Sequence, residues 1–189
     1  MGQYYAPTLI NKEGKITTFD PSEYGNGLKL TEHSYFGEEI CKVIEKELYN
    51  NPCRLYWMGD YAEVKDFDEK QVKTVKELYN INLDNDFLKN IIHDVYKCSD
   101  IVPTDEDSPR YIINHTKEIY LDLNLYDEDT IIHPLPLLTA VGNGRGGGDY
   151  FDSYNDYMVG TWAGDVIETT DKKPEDYYVR TYVEFKERD

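Results

Sequence analysis

The sequence predicts an α+β fold: a single domain over residues 1–189, with a mainly antiparallel sheet and two to three helices drawn from the middle of the chain. Three observations carry this expectation. Strand-like segments open and close the chain and helix-periodic segments lie between them, whereas a doubly wound sheet would alternate the two. Apolar residues make up 40% of the chain, with 18 Tyr and 2 Trp among them, enough to fill one core of ordinary size. No linker is long enough to separate two domains.

Tyr4 to Ile10 and Lys15 to Phe19 are strand-like and flank Asn11-Lys12-Glu13-Gly14, a loop ending in Gly, so a hairpin is expected. Glu38 to Asn50 reads as a helix. Ile40, Val43, Ile44 and Leu48 form one apolar stripe, and Asn50-Asn51-Pro52 stops it. Arg54 to Met58 reads as a strand ahead of Gly59. A second helix spans Asp68 to Tyr79, with Val72, Val75 and Leu78 inward. A third spans Asp86 to Lys97, with Phe87, Leu88, Ile91, Ile92 and Val95 in helical period and Asp84 or Asn85 as cap. Ser99 to Ser108 is an acidic, proline-marked loop. Tyr111 to Ile113 and Glu118 to Leu123 are strands, and Tyr126 to Thr130 is a further acidic loop.

Ile131 to Val141 is apolar but broken by Pro134 and Pro136, which suits an edge strand or a buried extended segment. Tyr157 to Thr161, Val166 to Thr169 and Tyr178 to Lys186 complete the strands. In the last of these, Val179, Thr181, Val183 and Phe185 share one parity.

The formal net charge of −17 disfavours phosphate backbones and anionic lipid surfaces as partners, and no basic stripe interleaved with aromatics offsets it. An acidic chain can instead engage a basic protein, or occupy the site where a protein holds DNA. No apolar run approaches the ~18 residues that cross a membrane. Met1-Gly2-Gln3-Tyr4-Tyr5 has neither the basic start nor the apolar core of a signal peptide, so a cytoplasmic location is expected. Cys41, Cys53 and Cys98 have no Cys-x-x-Cys spacing and read as buried free thiols.

Candidate chemistry concentrates in Gly142-Asn143-Gly144-Arg145-Gly146-Gly147-Gly148-Asp149-Tyr150. Glycines let a backbone approach a ligand closely, and successive free amides can form an anion-binding nest. Arg145 inside the run has the planar fork that suits carboxylate or phosphate. Asn143, Gly144, Arg145, Gly146, Gly147 and Asp149 are therefore ligand-binding candidates. The run matches neither the phosphate-loop pattern nor a dinucleotide fingerprint. His33 and His133 join the candidates because imidazole titrates near neutrality. Trp57-Met58-Gly59-Asp60 and Trp162-Ala163-Gly164-Asp165 echo each other. A duplication would place Asp60 and Asp165 on equivalent strand ends, where they and Asp149 could bind a divalent metal. The plainer reading is that each Trp fills the core and each Gly-Asp closes a turn.

Met1-Gly2-Gln3-Tyr4-Tyr5, Tyr24-Gly25-Asn26-Gly27-Leu28-Lys29-Leu30, Glu32-His33-Ser34-Tyr35, Gly59-Asp60-Tyr61-Ala62, Ile112-Ile113-Asn114-His115-Thr116-Lys117 and His133-Pro134-Leu135-Pro136 through Gly144-Arg145-Gly146-Gly147-Gly148-Asp149-Tyr150 to Trp162 and Asp165 span nearly the whole chain. Over these motifs the sequence resembles a family of small uncharacterised proteins of bacteriophages and Gram-positive bacteria that begin Met-Gly-Gln-Tyr-Tyr and carry no assigned activity. A similarity to fungal and bacterial proteins, in which Trp-Ala-Gly-Asp runs directly into Gly-Asp-Tyr, implies that residues 162–165 and 59–61 are neighbours in space. The resemblance implies a phage or prophage accessory protein acting on its host: a non-enzymatic binder of a host protein or a small signalling molecule. Two alternatives stand beside it. One is a nucleotide- or phosphate-handling, metal-dependent enzyme with its site at the glycine-rich loop. The other is an acidic DNA mimic that inhibits a nucleic-acid enzyme.

Overall fold

The computed structural model describes residues 2–93, 108–127, 129–151 and 154–186. Residues 94–97 of the third expected helix, Cys98 and nearly all of the 99–108 loop lie outside the described residues.

The strands are β1 (Tyr5–Ile10), β2 (Ile16–Thr18), β3 (Cys53–Gly59), β4 (Tyr111–Asn114), β5 (Ile119–Asp122), β6 (Ala140–Val141), β7 (Val166–Thr170) and β8 (Val179–Thr181). Among the described residues they form one eight-stranded sheet in the order β2-β1-β3-β7-β4-β5-β8. Pairing is antiparallel except where β8 joins β5 and where β6 joins β3. The helices are α1 (Glu39–Glu47), α2 (Glu69–Tyr79), α3 (Asn85–His93) and α4 (Pro134–Leu138). The architecture is the expected α+β class.

Strand alternation divides the core. Along β3, Leu55 and Trp57 face one cluster and Tyr56 and Met58 the other. The front face meets α1 through Ile40, Val43, Ile44 and Leu48, and meets α4 through Leu135, Leu137 and Leu138. The back face packs under α2 and α3 through Val75 and Leu88. Every residue of β3 is buried, because both of its faces are covered.

Four expectations are corrected. Ile131 to Val141 is not an extended segment: α4 occupies its middle and only Ala140–Val141 pairs as a strand. A helix tolerates proline in its first turn, where amides have no intrahelical partner, and Pro134 sits there with His133 as N-cap. Tyr157 to Thr161 forms a 3₁₀ turn and further turns instead of a strand. In Tyr178 to Lys186 only Val179–Thr181 pairs; Val183 and Phe185 leave the sheet and plug the front core. Leu78 of α2 is exposed, not inward, since Val75 alone reaches the buried interior from that helix.

Candidate functional site

The glycine-rich loop leaves β6, which lies parallel against the C-terminal half of β3. Its successive amides do turn inward as a nest, but the chain fills that nest itself. Asp149 Oδ2 accepts the amides of Gly144, Arg145 and Gly146 at 2.7, 2.8 and 2.9 Å. Gly144, at φ +94°, makes the turn that aims these amides together. Asn143 closes the loop: its side chain donates to the Tyr150 carbonyl and accepts the Tyr150 amide, both at 2.9 Å.

The loop is stitched to the rest of the fold. The Gly147 carbonyl accepts the Gln3 amide at 3.1 Å, and the Gly148 carbonyl accepts both the amide and hydroxyl of Thr31. Gly146 must be glycine, because a Cβ there would sit 2.7 Å from the Gln3 amide nitrogen. Arg145 points away from the nest. Its guanidinium binds the Tyr61 carbonyl at 3.1 Å, Glu63 at 3.2 Å, and the Asp66 carboxylate.

Asp149 is 5% exposed, and its other oxygen accepts the hydroxyl of Tyr5 at 3.0 Å. Burial, then the charge of Asp149, push the Tyr5 phenol far above its ordinary range. Tyr5 pairs with Gly59 across β1 and β3, which places Asp60 on this side of the molecule, and its charge adds to the same shift. Asp60 is committed locally, accepting the Tyr4 amide at 3.0 Å.

Asp165 is elsewhere. The backbone bonds of residues 162–165 to β3 fall on Leu55 and not on residues 59–61: the Gly164 amide donates to the Leu55 carbonyl at 2.8 Å, and β7, which follows, pairs antiparallel with β3. Asp60 therefore follows the end of β3 and Asp165 precedes the start of β7, which corrects the expectation of equivalent strand ends. Asp165 stands beside Leu55, five positions before Asp60, which separates the two by roughly 16 Å of strand. Asp165 is 1% exposed and accepts from Asn114 at 2.8 Å, from Gln71 at 3.2 Å and from the Lys117 ammonium. Among the described residues, no three His, Cys, Asp or Glu side chains converge as a metal-ligand set.

Both candidate histidines are buried and structural in their contacts. His33 Nε2 accepts the Trp57 indole N–H at 3.2 Å, which leaves the proton on Nδ1; burial lowers its pKa to about 3. His133 Nδ1 accepts the Leu135 amide at 3.2 Å, so Nε2 carries the proton that bonds Glu45 at 2.9 Å. His133 thus caps α4 and ties it to α1.

Beside Asp149 lies a cleft of about 370 Å³. Thr31, Ser34, Tyr35, Leu137, Asp149 and Phe151 are among the residues that line it. The hydroxyls of Thr31 and Ser34 donate inward, to the carbonyls of Gly148 and Leu30. Their lone pairs, and one remaining on Asp149 Oδ1, are the polar groups left for a ligand. Among the described residues, the cleft lining contains no lysine or arginine. Sequence reasoning found Asp149 and missed Thr31, Ser34 and Phe151, since nothing local marks a wall assembled from positions more than a hundred residues apart. It also missed the chain Glu168–His115–Tyr178, in which His115 bonds the carboxylate at 2.6 Å and the phenol at 2.7 Å.

No family model matches the chain, and neither a curated protein nor a solved structure matches it.

Proposed function

We propose that this protein is a non-enzymatic binder, working in the cytosol of a phage-bearing host, that holds a small signalling molecule in the cleft beside Asp149. The observation that carries the reading is the chemistry of the lining. Among its described residues the polar groups left over are acceptors, and the charged side chain is a carboxylate. Such a cleft selects a donor-rich ligand, uncharged or cationic, with a flat part to lie against Tyr35 and Phe151. The net charge of −17 favours the same ligands over polyanions. The enzyme alternative loses support from the geometry. The amides that would cradle a phosphate are occupied by Asp149, and Arg145 is held by Glu63 and Asp66.

Thermal unfolding across a ligand panel tests the reading. Nucleosides, aromatic amines and polyamines are compared with nucleoside phosphates, cyclic dinucleotides and ADP-ribose. The expected outcome is a rise in Tm with a member of the first group, lost in Phe151→Ala, and none with the second. A nucleotide that raises Tm in the native chain and not in Arg145→Ala would overturn it.

A further inference from the structure

A second cleft, of about 520 Å³, lies next to the first, and Tyr35 lines both. Three aromatic side chains line it: Tyr35, Phe36 and Tyr126. Leu123 and Ile131 add aliphatic surface, and Asp127 adds a carboxylate. Among the described residues its lining holds no lysine or arginine.

The rings and the carboxylate are fixed by contacts of their own. The Phe36 amide donates to the Ile131 carbonyl at 2.9 Å, and its ring leans on His133 with centroids 4.7 Å apart. The Tyr126 ring stacks on Tyr182 at 4.9 Å, and its hydroxyl donates to the Val183 carbonyl at 2.7 Å. Tyr126 therefore offers the cleft its ring and not a polar donor. The Phe36 and Tyr126 rings have centroids 5.6 Å apart and planes inclined at 51°. A cation lodged between them is within the roughly 6 Å over which a ring face attracts positive charge. Asp127 Oδ1 accepts the Thr130 hydroxyl at 3.0 Å and the Asp129 amide at 3.2 Å. Both bonds fall on Oδ1, which leaves Oδ2 to a ligand among the described residues.

We propose that this cleft binds a small cationic molecule through a quaternary ammonium group. The choice of an alkylated cation follows from the lining. A primary ammonium is tightly hydrated and brings three N–H donors, and the charged acceptor facing it among the described residues is Asp127 alone. A trimethylammonium group has no donor to satisfy. Its methyl groups pack on Leu123 and Ile131, and its spread charge meets the rings. Asp127 is exposed, so its charge alone holds a cation weakly in water and the rings carry most of the affinity. A carboxylate or phosphate on the same ligand is opposed by Asp127 and by the net charge of −17, so the site prefers a cation to a zwitterion.

The probe is choline chloride, titrated into the full chain at constant ionic strength and followed by ¹H–¹⁵N NMR. Saturable shifts of the Phe36, Asp127 and Thr130 amides are expected. The neutral isostere of choline, in which carbon replaces nitrogen, tests the charge without altering the protein and should bind about tenfold more weakly. Glycine betaine should also bind more weakly than choline. Phe36→Leu keeps apolar bulk against His133 but loses the ring, and should weaken choline binding about tenfold. Asp127→Asn, whose side-chain oxygen still accepts from Thr130 and Asp129, should weaken it up to about fivefold. Phe151→Ala alters the first cleft and not this one, so it should leave choline affinity unchanged and keeps the two sites distinguishable. Absence of saturable shifts in the native chain, equal affinity for choline and its neutral isostere, or loss of choline binding in Phe151→Ala with none in Phe36→Leu would overturn the proposal.

Discussion

The Tyr5 hydroxyl and the Asp149 carboxylate meet at 3.0 Å across 144 positions of sequence. Tyr5 belongs to the second-outermost strand and Asp149 to the glycine-rich loop, so this bond fixes the loop against the sheet. It also divides the duties of one carboxylate: one oxygen holds three backbone amides, and the other faces Tyr5.

Removing the hydroxyl tests that division. Tyr5→Phe leaves the ring in the front core and deprives Asp149 of its side-chain donor. A hydrogen bond to a charged group is worth about 1.5–3 kcal/mol, so Tyr5→Phe should lose about 2 kcal/mol in urea unfolding. Asp149→Ala strands the loop amides as well and should cost on the order of 4 kcal/mol. A Tyr5→Phe chain as stable as the native one would show that the bond holds nothing.

Acid should expose His33. Burial holds its pKa at about 3 in the folded chain; the unfolded value is about 6.5. Between those values the unfolded chain binds a proton that the folded chain refuses. Stability therefore falls as pH drops through this window, and the contribution vanishes above it. The slope is about 1.4 kcal/mol per pH unit. His33→Gln, which keeps an acceptor for Trp57, should flatten the pH profile of unfolding free energy between about pH 6.5 and 4.5 relative to the native chain.

Much of the fold was legible in the sequence, and little of the site. The stripe Ile40, Val43, Ile44, Leu48 marks α1 because helical periodicity is a local signal. The hairpin of β1 and β2 is equally local. Pro134 and Pro136 misled because proline breaks a helix interior but suits a first turn, and the cap that decides between these is His133, a residue the sequence marks as chemistry. The glycine run marks the amide nest, because closely spaced glycines free successive amides to converge. Its occupant is not marked, since nothing in the run shows that Asp149 folds back on the amides three to five residues before it.

The pair Lys117 and Asp165 carries the next prediction. Asp165 is 1% exposed, whereas the Lys117 side chain is 39% exposed. Lys117→Ala leaves a buried carboxylate with only Asn114 and Gln71 as donors. Breaking a fully buried pair costs about 3–5 kcal/mol; the partial exposure of Lys117 reduces this to about 2 kcal/mol. Lys117→Ala combined with Asp165→Asn should recover most of that loss, read by thermal and urea unfolding of both variants.

Phe151 and Arg145 separate the cleft from the loop. Phe151 is 44% exposed, so Phe151→Ala should leave Tm within about 1–2 °C of native while removing ligand binding in the cleft. Arg145→Ala frees Glu63 and Asp66 and should lower stability by about 1 kcal/mol, with ligand affinity unchanged in calorimetric titration.

The most direct test of the account is a ¹H–¹⁵N NMR titration of the native chain, first with a donor-rich compound that raises Tm and then with nucleoside phosphates. Amide shifts confined to Thr31, Ser34, Tyr35 and Phe151 are expected with the first, while Gly144, Arg145 and Gly146 stay fixed on Asp149. Shifts of those three loop amides on adding a nucleoside phosphate, with the cleft amides unmoved, would contradict it.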